Sequence, residues 1–155
     1  MSRFEDVTEE VYNVLKDVKD AKFPVLAGAN IKVLFDTKKR MSGGKIILGR
    51  IQKTNDLLRH LTISESDNDE GFDYIMYLDK MIWDNIERID RVRLVRHELR
   101  HTLVDLESNT NPFKIVPHDI EDFVEEISLN ADDVNWASRV GELGRHLYDQ
   151  ESDDR

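Results

Sequence analysis

The sequence predicts an α+β fold in one small domain: an N-terminal helix, a short and mostly antiparallel sheet, and three later helices. Three observations predict it. Apolar residues recur at helical spacing near the start and again from about residue 87 onward. Three short runs rich in β-branched, aromatic and other large apolar residues lie between these stretches. Glycine, proline and asparagine punctuate the boundaries. The 155 residues suit a single domain, which usually holds about 100–150. We assign residues 1–149 to it and 150–155 to a polar tail expected to be disordered.

Taken in order, Ser2-x-x-Glu5 has the form of a helix-starting capping box. Phe4, Val7, Val11, Val14, Leu15 and Val18 then predict an amphipathic helix over about 3–20. Pro24 and Gly28 end it. Ile31–Phe35 and Lys45–Gly49 read as strands, and Ser42-Gly43-Gly44 as a turn, so the two strands are expected to form a hairpin. The stretch from Gln52 to Ile63 follows neither period. Glu65–Gly71 is an acidic loop without the ligand spacing of a calcium-binding loop. Phe72–Leu78 reads as a third strand, with Phe72, Tyr74, Met76 and Leu78 facing the core. Met81-Ile82-Trp83 leads into a helix over about 87–106, and two more helices are expected over 119–130 and 133–149. Trp83 and Trp136 read as core residues, His60 and His146 as surface residues.

Lys and Arg number 22 against 32 Asp and Glu, a net charge of −10. A phosphate-backbone binder normally carries a basic surface, so no nucleic-acid partner is expected. No apolar stretch approaches the roughly 20 residues of a membrane span, and no membrane partner is expected. The chain has no cysteine, which excludes disulfides, cysteine-ligated metals and a cysteine nucleophile. No apolar leader follows Met1–Asp6, and with the absent cysteines this predicts a cytoplasmic protein.

The segment that carries chemistry is His97-Glu98-Leu99-Arg100-His101. On a helix, positions i and i+4 share one face, one turn apart, so two imidazoles there can bind one zinc ion at about 2.0–2.1 Å. Glu98 projects about 100° around the axis from His97, where it borders the metal as a general base for water. The expected helix has two apolar faces. Val92, Val95, Leu99, Leu103 and Leu106 form one stripe, and His97 and His101 lie opposite with Leu94 and Val104. Such a helix is sandwiched between layers. A catalytic zinc site usually has three protein ligands and an open position. Glu107 stands where an extended motif would place a third histidine. The remaining candidates are His118 and Glu121, in Pro117-His118-Asp119-Ile120-Glu121-Asp122-Phe123.

Together, this motif, the Pro117–Phe123 segment and the preceding Tyr74–Leu78 strand and Trp83 resemble the phage metallopeptidase family, found in phage and prophage genomes. They are similar, more distantly, to the SprT/Spartan-type zinc peptidase domain. The resemblance covers about residues 30–130 and implies a small zincin-like domain that hydrolyses peptide bonds of a protein or peptide substrate. It implies zinc held by His97, His101 and His118, with Glu98 as base. Tyr74, Tyr77 and Arg100 are candidates for stabilising the oxyanion. In such zincins an edge strand lies beside the metal, which implies that substrate pairs with Phe72–Leu78. The rival expectation is a non-catalytic acidic protein with a structural metal, engaging a basic partner or mimicking DNA.

Overall fold

The computed structural model describes residues 2–66, 69–108, 110–116 and 124–153. Strand β1 (Phe4–Asp6) precedes helix α1 (Glu9–Lys22). The expected helix therefore starts later than its capping box suggests. Pairing with a distant strand outweighs the local signal: Phe4 lies opposite Asp36, and Arg3 donates from Nε to Asp36 Oδ1 at 2.7 Å. The predicted stripe is otherwise correct, since Val11, Val14, Leu15 and Val18 are all buried.

Strand β2 (Ile31–Asp36) is followed by β3 (Met41–Ser42), β4 (Lys45–Ile46) and β5 (Gly49–Lys53). The long hairpin expected between Ile31–Phe35 and Lys45–Gly49 does not form. The glycine turn closes a much smaller hairpin, β3 against β4, with Gly43 and Gly44 at φ 57° and 78°. Two successive positive φ values suit glycine in a two-residue hairpin turn. Helix α2 (Asp56–Thr62) fills the stretch that had no clean period, capped by Asn55, whose Oδ1 accepts from Leu58 N at 2.8 Å.

Strand β6 (Tyr74–Asp79) is the centre of the sheet, whose order is β1-β2-β6-β5. It runs parallel to β2 and antiparallel to β5. The sheet is mostly antiparallel, as expected, with one parallel pairing. The expectation that substrate pairs with Phe72–Leu78 fails, because both sides of this strand are taken. Tyr74, Met76 and Leu78 do face the core and are fully buried. With Val33, Phe35 and Ile51 they pack against α1 and the later helices.

Helix α3 (Lys80–Asp84) starts at Asp79, whose Oδ1 accepts from Ile82 N at 2.9 Å. Helix α4 (Arg88–Leu99) carries His97 and Glu98 and ends seven residues earlier than expected, so His101 lies just past its end rather than within it. The chain turns into β7 (Thr102–Val104), which pairs antiparallel with β8 (Phe113–Ile115). Tyr74 causes part of this: its buried hydroxyl donates to the carbonyls of Lys114 and Leu103 at 2.9 and 3.3 Å. Leu103 and Leu106 are consequently 49% and 86% exposed and belong to no helical stripe. Helix α5 (Val124–Leu129) and α6 (Trp136–Asp153) complete the chain, α6 running into the residues read as tail.

Candidate metal centre

The last turn of α4 tightens as it ends. Arg100 N donates to the carbonyls of Arg96 and His97 at 3.1 and 3.2 Å, and His101 N to Glu98 O at 3.1 Å. Bonds to the third residue back keep the chain turning past Leu99, so the fourth-residue spacing of the histidines survives the helix end. The two imidazoles meet with centroids 5.6 Å apart and planes at 75°. Trp136 of α6 borders His97, ring centroids 6.3 Å apart. Trp136 is thus core, as expected, and also a wall of this site. With α1 and β5 on its other sides, α4 is enclosed as the two-faced pattern predicts.

His101 Nδ1 lies 2.7 Å from the carbonyl oxygen of Val116. A carbonyl only accepts, so Nδ1 carries the proton and a neutral ring keeps its lone pair at Nε2. Metal-ligating histidines are typically fixed this way, by donating the other ring N–H to a carbonyl or carboxylate. Val116 N returns a bond to His101 O at 2.6 Å. The donor set therefore fits a zinc ion: one ring in a ligating tautomer, with a second imidazole facing it.

Glu98 is buried between α4 and the sheet. Burial pushes its carboxyl up to about 8, opposed by the positive charge of Arg50 on β5. Residue 49 on β5 lies beside this carboxylate, and crowding by Leu78 and Tyr77, rather than by Glu98, favours glycine there. A Cβ there would sit 3.7 Å from Glu98 Cγ, but only 3.0 Å from Leu78 Cδ2 and 3.1 Å from Tyr77 O.

The arginines on and just after α4 bind both within the helix and to other elements. Arg93 donates to Asp90 at 2.9 Å and to Asp132. Arg96 and Arg100 both reach the fully buried Glu126 of α5, Nε to carboxylate, at 2.7 and 3.1 Å. Arg96 also donates to Asn130. Sequence reasoning saw an arginine flank but missed Glu126. The signal was present: two arginines one turn apart need a shared acid if that flank is covered.

His118 and Glu121 both lie outside the described residues. Among the described residues, no three His, Asp or Glu come together to hold a metal. Tyr74 is occupied by the β7 and β8 carbonyls, Tyr77 lies under Arg40 with centroid distance 5.0 Å, and Arg100 binds Glu126 and covers Phe23. None of these contacts aims the three oxyanion candidates at the histidines. His60 and His146 are exposed, as expected.

A family model described as "putative phage metallopeptidase" matches residues 2–148. Nothing matches the chain among curated proteins or among solved structures. No helix among the described residues is long and apolar enough to cross a membrane.

Proposed function

Since the chain belongs to the phage metallopeptidase family, whose name implies a metal ion and a protein or peptide substrate, we propose that it is a zinc-dependent peptidase with His97 and His101 as ligands and Glu98 as base. His118, from the segment beyond Val116, is the proposed third ligand, with Glu121 the alternative. The observation that carries the reading is the Nδ1 bond of His101 to Val116, which leaves Nε2 as the ligating atom beside the His97 ring.

When bound, zinc polarises a water and lowers its pKa toward about 7. Glu98 takes a proton from the attacking water and passes it to the leaving amine. Burial holds this carboxyl up to about 8 despite Arg50, and the charge of a bound metal ion would add to that of Arg50 in favouring the ionised form that must accept the proton. An extended peptide is received at β5, the sheet edge nearest Glu98, where main-chain N–H and C=O groups add a strand.

The test is elemental analysis of the purified protein with cleavage of an unfolded protein substrate. One zinc per chain, with cleavage stopped by a chelator and restored by zinc, supports the reading. A chain that holds its zinc but cleaves nothing, as wild type, removes it.

A further inference from the structure

Residues 37–55 contain six cations, Lys38, Lys39, Arg40, Lys45, Arg50 and Lys53, and no Asp or Glu, in a chain of net charge −10. Elsewhere the cations are largely neutralised. Arg88 pairs with Asp17 at 2.6 Å, Arg91 with Glu10 at 3.1 Å, Lys80 with Glu5 at 2.8 Å and Arg59 with Asp73 at 3.2 Å. Within 37–55, Arg40 alone has a carboxylate partner among the described residues, Asp36 at 3.2 Å. Lys38, Lys39, Lys45, Arg50 and Lys53 are exposed and form no ion pair among the described residues.

Lys45, Arg50 and Lys53 lie on the β3–β4 hairpin and on β5, and Lys38 and Lys39 lie in the segment between β2 and β3. No strand among the described residues pairs with the outer side of β5. Gly49 approaches Glu98, and Arg50 is the next residue. A strand added at this edge would run beside the candidate catalytic carboxylate with Arg50 and Lys53 facing its side chains. Three positions apart, these two cations project to opposite faces of the sheet, so both faces of an added strand meet positive charge.

We propose that β5 and the hairpin before it select acidic polypeptide segments, with Arg50 and Lys53 meeting Asp or Glu side chains that flank the cleaved bond. The inference rests on the peptidase reading for its reaction and adds the substrate class. Arg50 suits the role because a guanidinium binds a carboxylate through two parallel N–H bonds. A polypeptide is favoured over a nucleic acid for two reasons. A sheet edge offers hydrogen bonds that match a peptide backbone. Residues 37–55 also contain no Phe, Tyr or Trp on which bases could stack.

The test measures binding and cleavage separately. Binding is read by fluorescence anisotropy with the zinc-loaded Glu98→Gln protein. The probes are a labelled Glu-rich peptide, a peptide of the same backbone with Gln at those positions, and a single-stranded oligonucleotide of equal charge. The acidic peptide should bind about five- to tenfold tighter than its Gln counterpart at low salt, from two exposed charge pairs. The advantage should shrink as added salt screens it. Arg50→Glu with Lys53→Glu should abolish or invert the preference. Lys22→Glu with Lys19→Glu on α1, which changes net charge equally, should leave it in place. In wild type, kcat/KM should show the same order. Equal binding of the Glu and Gln peptides overturns the inference, leaving the cations only to guard an open sheet edge against self-association. Tighter binding of the oligonucleotide, reversed by the same β5 variants, overturns it in favour of a nucleic-acid surface. Cleavage of both peptides at equal rates refutes this selectivity while sustaining the peptidase reading. Selective binding without cleavage by zinc-loaded wild type refutes the peptidase reading while sustaining the surface.

Discussion

His101 and Val116 hold each other through two hydrogen bonds, Nδ1–H to the Val116 carbonyl at 2.7 Å and Val116 N–H to the His101 carbonyl at 2.6 Å. The pair fixes both the tautomer and the direction of the imidazole. Val116→Pro removes the second bond, because proline has no N–H. That backbone bond holds the Val116 carbonyl against the ring, and losing the partner of a ligating histidine's ring N–H typically costs 10–100-fold in metal affinity. We expect a zinc affinity reduced by about tenfold or more by isothermal titration, with far-UV circular dichroism unchanged. His97→Ala and His101→Ala should remove most of the bound zinc. Full zinc retention by both alanine variants would place the site elsewhere.

Glu98→Gln should keep the fold and the zinc while hydrolysis falls to background. Glutamine preserves shape and loses the basic carboxylate. In the zinc-free protein the substitution should also stabilise at pH 8 and above. Burial raises the Glu98 carboxyl to about 8, so the folded state resists ionisation that the unfolded chain undergoes freely above about 4.3. Stability attached to this group is present at low pH and lost as pH rises toward the folded value. Chemical denaturation at pH 5 and pH 8 measures the difference, and undiminished turnover by the variant would exclude Glu98 as the base.

The third ligand can be separated by two substitutions. His118→Ala should weaken zinc binding strongly and Glu121→Ala much less, since imidazole suits zinc better than a carboxylate in a site already holding two histidines. The reverse ranking in zinc titrations would give a site of two histidines and one glutamate, which zinc hydrolases also use.

The motif was legible because its spacing is a property of the helix itself. Its surroundings were not, because they depend on partners far along the chain. Phe4–Asp6 has the local marks of a helix start and becomes a strand through Asp36. Leu103 continues an apolar stripe in sequence, yet Tyr74 draws the chain into a hairpin there. The alternation of Tyr74, Met76 and Leu78 correctly gave the face turned to the core, but alternation cannot tell an inner strand from an edge. Strand order depends on which other strands arrive, and the parallel pairing of β2 with β6 had no local signature. Glu98 and Gly49 illustrate the same division. The glutamate is named by the motif, while its burial follows from packing beside β5 at Gly49, a strand that local sequence could not place there.

Acid sensitivity should run through Asp90. Burial pushes its carboxyl up, but hydrogen bonds from Arg139 at 2.7 and 2.8 Å and from Arg93 at 2.9 Å outweigh this and hold it below the usual carboxylate range. A lowered folded value means that its contribution is present above the unfolded value of about 3.9 and is lost as pH falls through the folded one. Arg139→Gln should therefore lower stability at pH 7 by about 1 kcal/mol, the Arg139 side chain being half exposed. It should also flatten the loss of stability below about pH 4. A parallel downward shift at all pH values, measured by urea denaturation, would assign the effect to packing.

Glu126 supplies the last prediction. Its carboxylate is fully buried and accepts from Arg96 at 2.7 Å and Arg100 at 3.1 Å, the first just before the motif and the second within it. Both described flanks of segment 117–123 are therefore tied to that motif, Val116 through His101 and α5 through Glu126. That segment carries His118 and Glu121. Glu126→Ala removes the buried carboxylate that two guanidinium groups share, and breaking such a buried pair typically costs about 3–5 kcal/mol. If the third ligand comes from the segment between these anchors, the variant should also lose zinc affinity, even at temperatures where it remains folded. Arg139→Gln supplies the comparison, because it lowers stability without touching either anchor. Thermal denaturation gives the stability of each variant, and zinc titration below both transitions gives the affinity. We expect weaker zinc binding in Glu126→Ala and wild-type binding in Arg139→Gln. Equal affinity in the two variants would show that Glu126 holds α5 for stability alone.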